Sequence, residues 1–374
     1  MIKKLNKNQS AWLRVKKLIK KCLPVRRGPL RGEYERGRAL LIMRNKFIYL
    51  LILLSCVSLS ARETTVPISA DLSQSLNRGL KYLASTQQED GSWNGNHGRN
   101  VGETSLCLMA FMSMGNLPAE GEYGHVVGKG VNWVVDQAKP NGLIQYSNQE
   151  KQAAVMYGHA LATLMLSEAW GQSRNQEIGK VLRNAVKLIL EVQGKKGGWG
   201  YKSIPEDGDT SVMVMQIIAL KSAQDAGIYV PQKTIQKALS LIKTRFNEAR
   251  KMYGYTTTKV SKNNYGSSAA GTCIMFICGE KEKKYTEEAV NSLLTIMRND
   301  PKKQKVGHIP YFLYYASVAS YNQGGDAYRE WAKLLEKYLI REQKSKGEWG
   351  SYYQTAFCIL GASLPYQYIP VYQK

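Results

Sequence analysis

From residue 72 to its end, the chain alternates two kinds of apolar pattern. The first is a helix-period stretch with polar residues on its other face, as around Tyr82-Leu83 and Leu188-Ile189. A Gly-rich turn follows. The second kind is apolar almost throughout and carries small residues, as from Glu103 to Met114 and from Thr210 to Ala223. A further turn often holds glycine, at Gly115, Gly171, Gly227, Gly279 and Gly324. Each pair of segments predicts one helical hairpin.

The hairpins repeat. Arg78-Gly79-x-x-Tyr82-Leu83-x-x-x-Gln87-x-x-x-Gly91-x-Trp93 returns as Ala185-x-x-Leu188-Ile189-x-x-x-Gln193-x-x-x-Gly197-x-Trp199. It returns again as Tyr338-Leu339-x-x-x-Gln343-x-x-x-Gly347-x-Trp349. Degenerate copies start at Lys129-Gly130, Lys237-Ala238 and Glu288-Ala289, so the Gln position falls at 87, 138, 193, 246, 297 and 343. One hairpin cannot hide both faces of its helices, but stacked neighbours can. Six in series can close on themselves, with the apolar second helices as an inner ring and the more polar first helices outside. The predicted fold is all-α, a single (α/α)6 toroid over residues 72–374.

The Gln-x-x-x-Gly-x-Trp element resembles the QW motif of squalene and oxidosqualene cyclases, and protein prenyltransferase beta subunits carry related repeats. This resemblance to the prenyltransferase/squalene-cyclase repeat family implies an α/α toroid with a central cavity. The motif residues Gln87, Gly91, Trp93, Gln193, Gly197, Trp199, Gln343, Gly347 and Trp349 read as structural. The glutamines can bond free backbone groups at helix ends, and the tryptophans supply packing surface at the turns.

The resemblance also says where chemistry belongs. Squalene cyclases protonate an alkene with Asp-x-Asp-Asp followed by Thr. Here Pro205-Glu206-Asp207-Gly208-Asp209-Thr210 stands at that place. Glu206 takes the first acid position, and Gly208 replaces the central proton donor. Glu206, Asp207 and Asp209 are therefore the candidate catalytic acids, while Asp209 equally reads as the N-cap of an inner helix. Protein prenyltransferases hold zinc with Asp, Cys and His, and Gln354 occupies the place of that His. His97, His125, His159 and His308 fall in different repeats, so the sequence calls for no metal and no cofactor. Triterpene cyclases use two helical domains, and this chain predicts one. Standard cyclase and zinc prenyltransferase chemistry are both disfavoured. If the protein is an enzyme, it is of the terpenoid-cyclase type.

The predicted inner-helix starts carry Glu103, Thr104, Tyr157, His159, Thr210, Tyr311, Tyr314, Tyr315, Tyr353, Gln354 and Thr355 as cavity-lining candidates. The chain holds 23 Tyr against 6 Phe, giving flat apolar faces with polar tips. Such a lining suits an apolar or isoprenoid small molecule, and it also suits sugar rings. Three readings follow: an isoprenoid-binding toroid, a non-catalytic binding or scaffold protein of the cell envelope, and a glycan-active enzyme. The last needs two facing carboxylates, with Glu103 and Asp209 as the pair.

Charge changes this picture little. The formal net charge is +23, but residues 1–61 hold 15 Lys/Arg against 2 Asp/Glu, which leaves +10 for the other 313 residues. No zinc-finger or RNA-recognition signature accompanies that surplus, so nucleic acid is not the expected partner. Cys107, Cys273, Cys278 and Cys358 sit in apolar runs without CxxC spacing and read as core. Residues 43–61 resemble a secretory signal peptide, with a basic head, an apolar run from Phe47 to Leu54 and a small-residue exit at Ser60-Ala61. Leu53-Leu54-Ser55-Cys56 also resembles a lipobox, which would make Cys56 an acylated envelope anchor; an uncleaved single membrane anchor is the third possibility. The expectation is export, to the periplasm or beyond. Residues 1–42 read as a basic segment, either an over-extended start ahead of the true one at Met43 or a disordered stretch.

Overall fold

The computed structural model describes residues 66–95, 98–146, 154–173 and 175–372. The leader readings for residues 1–42 and 43–61, and the candidate His97, lie outside the described residues.

The described residues form twelve α-helices in alternation. Six are outer helices: α1 (Ala70–Ser85), α3 (Gly124–Asp136), α5 (Gln176–Glu191), α7 (Gln232–Lys243), α9 (Glu287–Arg298) and α11 (Gly325–Glu342). Six are inner: α2 (Val101–Met112), α4 (Val155–Ser173), α6 (Thr210–Asp225), α8 (Tyr265–Ile277), α10 (Ile309–Gln323) and α12 (Tyr352–Ala362). Each inner helix packs on the next, and α12 returns to α2, so the ring is closed. Outside it, α11 packs on α1. Two short hairpins, β1–β2 (Asn94–Gly95 with Gly98–Arg99) and β3–β4 (Phe246–Asn247 with Met252–Tyr253), decorate the turns.

The two helix types follow from their patterns. In α5 the buried residues are Ile178, Leu182, Ala185, Val186 and Ile189, with Gly179 and Leu188 beside them, which is one helical face. In α2 every residue is buried except Glu103. A helix that is apolar all round belongs between two layers, and that is where α2 lies. Close approach inside the ring uses glycine: a β-carbon on Gly102 would come 3.2 Å from the Cα of Gly158 in α4.

The repeat motif is a clamp between successive hairpins. Gln87 Nε2 donates to the carbonyl of Gly91 in its own turn and to Val126 in α3, both at 2.9 Å. Gln193 does the same to Gly197 and Thr234. Gln343 reaches Gly347 and then Ser75 of α1, both at 2.7 Å, so the last repeat clamps the first. These glutamines therefore hold the next unit and not merely a free helix end, because the accepting carbonyl lies in the first two turns of the neighbouring outer helix. The tryptophans serve the free ends. Trp93, Trp199 and Trp349 donate their indole N–H to Leu83, Ile189 and Leu339, in the last turns of their own outer helices.

Candidate functional site

The inner helix starts gather at one end of the ring. A cavity of about 510 Å³ opens there between α2, α4, α6 and α12. Leu106, Leu161, Met215 and Phe357 form its apolar depth, with Ile144 and Val155 on the walls. Asn100, Glu103, Gln145, Tyr146, Tyr157 and Tyr353 give it polar groups. Its size falls within the roughly 300–1,000 Å³ of small-molecule sites.

Glu103 is the single carboxylate among the described lining residues. It sits in the first turn of α2, which Asn100 caps by accepting the Glu103 N–H at 3.0 Å. The backbone N–H of Tyr353 donates to its carboxyl. Burial nonetheless pushes it up to about 7, above the ordinary 4.5, because the charged form loses water here. Gly95 leaves room beside it: a β-carbon there would stand 3.0 Å from Glu103 Oε1.

Of the sequence candidates, Glu103, Tyr157 and Tyr353 line the cavity. The others are placed differently, each for a physical reason. Thr104, His159 and Thr355 are buried struts, accepting the backbone N–H of Trp93, Ile144 and Trp349 at 3.0–3.1 Å. His159 bonds Ile144 through Nδ1 and the carbonyl of Ala185 through Nε2, and burial pushes it down to about 4. That histidine is neutral and spent on structure. Thr210 donates to Gly254 and accepts from Arg245. Gln354 is half of a capping box with Ser351 at the start of α12. Tyr311, Tyr314 and Tyr315 pack with Phe357 in an aromatic cluster and are not among the lining residues.

The three candidate acids part company. Glu206 is exposed on its loop. Asp207 ties that loop down, accepting from the N–H of Lys196 and Gly198 at 2.9 Å. Asp209, 3% exposed, is the N-cap of α6 and accepts from the N–H of Ser211 at 2.8 Å and of Val212 at 3.2 Å. It also takes the hydroxyl protons of Ser211 and Tyr201. Ser211 Oγ meets the hydroxyl of Tyr157, so Asp209 reaches the cavity only through two other side chains. Sequence reasoning missed Asn100, Gln145, Tyr146 and Met215. A cap before a short first turn could have flagged Asn100; nothing local marks the rest. Among the described residues no three His, Cys, Asp or Glu side chains stand together as metal ligands.

No protein-family model and no curated protein matches the sequence. Solved structures do match the fold. The alpha-1,6-mannanase GH76A of Salegentibacter sp. HEL1_6, as an inactive variant with alpha-1,6-mannotriose, superposes with TM-score 0.59 at 10% identity, over 79% of this chain and 99% of that one. The type II terpene cyclase MstE from Scytonema, with geranylgeranyl dihydroxybenzoate, gives 0.54 at 12% identity over 80% and 98%. Cellobiose 2-epimerase from Bacillus thermoamylovorans B4167 gives 0.56 at 13% over 79% and 99%. The chain shares the α/α toroid with these terpene-cyclising and sugar-active enzymes.

Proposed function

We propose that the toroid takes an apolar, isoprenoid-class small molecule into this cavity and that Glu103 serves it as a proton donor. One observation carries the reading. The single carboxyl of the described lining is half-buried, holds its proton up to about pH 7, and stands over an apolar depth of Leu106, Leu161, Met215 and Phe357. A neutral carboxyl donates where an ionised one cannot. With this affinity for its proton, Glu103 suits an oxygen acceptor, an epoxide or hydroxyl on the isoprenoid, better than a bare double bond. Tyr353 and Phe357 line the cavity as aromatic side chains suited to stabilising the cation that follows. The terpene cyclase that shares the fold holds a geranylgeranyl compound, which supports the ligand class.

The glycan reading draws on the mannanase and on the tyrosines of the lining. It needs a second carboxylate facing the first. Asp209, the candidate partner, stands behind Ser211 and Tyr157. Equilibrium titration separates the two. Farnesol or geranylgeraniol is expected to bind saturably and alpha-1,6-mannotriose is not; the reverse result removes the isoprenoid reading. We also infer export from the leader pattern at residues 43–61. Sequencing the N-terminus of native protein tests it, and a mature chain that begins at residue 1 contradicts it.

A further inference from the structure

We propose that Tyr157 is the proton acceptor of this cavity, and that Ser211, Asp209, Tyr201 and Tyr255 carry the proton it receives out to the surface. The inference rests on the isoprenoid reading above. It starts from a continuous line of hydroxyls. Tyr157, in the first turn of α4, lines the cavity, and its hydroxyl meets Ser211 Oγ across the gap to α6. Ser211 Oγ donates to Asp209 Oδ1. Tyr201 donates to Asp209 Oδ2 and meets the hydroxyl of Tyr255, a residue 37% exposed. One end of the line is in the cavity, and the other is in solvent.

The directions of the bonds say what the line can do. Ser211 and Tyr201 both point their protons at Asp209, so the carboxylate is where a proton arriving from either arm comes to rest. Burial and the charge of Asp209 hold Tyr157 in its phenol form. A phenol kept neutral can accept a proton only by passing its own along, and Ser211 stands where that proton must go. The rings of Tyr157 and Tyr201, with centroids 5.7 Å apart, brace the two arms against each other. Arg245 lies behind Asp209 as its counter-charge, held by the carbonyl of Gly208 at 2.6 Å and by Thr210 at 3.1 Å.

The step balances without a cofactor. Glu103 gives its proton to the epoxide oxygen of the ligand, a C–O bond breaks, and a carbocation forms. A C–H beside the cation gives its proton to the Tyr157 oxygen, and that electron pair becomes a new double bond. Tyr157 passes its own proton to Ser211, and Ser211 passes one to Asp209. The protonated Asp209 then turns from acceptor to donor: the hydroxyls of Tyr201 and Tyr255 reverse, Asp209 donates to Tyr201, Tyr201 to Tyr255 and Tyr255 to water, and Glu103 takes a proton back from water. The ligand is isomerised, with no net oxidation.

The terminal monoepoxide of farnesene, a prenyl epoxide with no hydroxyl of its own, is the probe, because an intercepted cation leaves a record. Loss of a proton gives an unsaturated alcohol, whereas capture by water gives a diol. Wild-type protein is expected to give the unsaturated alcohol. Tyr157→Phe and Ser211→Ala are expected to lower the alcohol-to-diol ratio by about 100-fold, the usual scale of one acid–base group. Asp209→Asn is the control for structure, since Asn caps a helix as well as Asp does. It is expected to keep the wild-type helix content, bind the probe with the same affinity and still shift to diol, whatever stability the lost charge beside Arg245 costs it. An unchanged product ratio in Tyr157→Phe overturns the proposal. Binding of the epoxide without conversion also overturns it and leaves the ligand reading standing. Absence of binding removes that reading and this inference with it.

Discussion

Glu103 stands where two effects oppose each other. Its place in the first turn of α2 favours the anion, through the helix dipole and the Tyr353 N–H. Loss of water favours the acid and prevails, so the proton is held to about pH 7. Activity on an isoprenoid epoxide should therefore be full below that pH and fall as pH rises through about 7. A pH–rate profile that rises from pH 6 to 8 would contradict this role. Glu103→Gln should cost about 100-fold in rate while leaving ligand affinity within a few-fold, measured by product analysis beside titration. Asp209 was legible in the sequence as a cap, because an acid before Thr210-Ser211 and an apolar run is a local signal. The perturbed acidity of Glu103 was not, because its surroundings come from Gly95 in a turn and Tyr353 at the far end of the chain. His159 shows the converse. Its burial was foreseeable on an apolar helix, but its bonds to Ile144 and Ala185 join two repeats and have no local trace.

At the scale of elements, the clamps are separate and testable. Gln343 holds two carbonyls and the hydroxyl of Ser75, and it alone among the three motif glutamines joins the end of the ring to its start. Gln343→Ala should cost about 2–3 kcal/mol in urea unfolding, as three partly buried partners lose a bond each. A loss below about 0.5 kcal/mol would mean that the closure is held elsewhere. Gly197 has φ +108°, and a β-carbon there would meet the Lys237 carbonyl carbon at 2.7 Å. Gly197→Ala should therefore cost about 2 kcal/mol or more by the same measurement. The positions of these glycines were legible from the repeat; the wall each one meets belongs to the next outer helix and was not.

Another carboxyl with a raised pKa, this one buried, lies near the C-terminal end of α4. Glu168, 4% exposed, accepts from Ser222 at 2.7 Å and from the N–H of Val371 in the C-terminal tail. Burial, helped by the charge of Asp225, pushes it up to about 7. A folded-state value raised above the unfolded one means that protonation favours the fold. Its contribution is whole below about pH 4.5 and is lost as pH rises through 7, roughly 3 kcal/mol at the limit. Glu168→Gln should thus gain on the wild type in thermal melts at pH 8 relative to pH 5. An equal difference at both pH values would contradict the assignment.

For the whole molecule, the period near fifty residues carried the architecture. Hairpins unable to bury both faces had to pair, and six in order could close, as α12 on α2 and α11 on α1 show. The cavity was legible only as a consequence of closure. Its lining joins side chains from four inner helices and the turns before them, and Gln145, Tyr146 and Met215 carry no mark that sets them apart from other helix-start or core residues. The most direct test is a crystal structure of the protein soaked with geranylgeraniol. Density along Leu106, Leu161, Met215 and Phe357, with the hydroxyl end toward Glu103, is the expected result. A ligand seated outside the ring, or a cavity that takes mannotriose and excludes the prenyl alcohol, would contradict it.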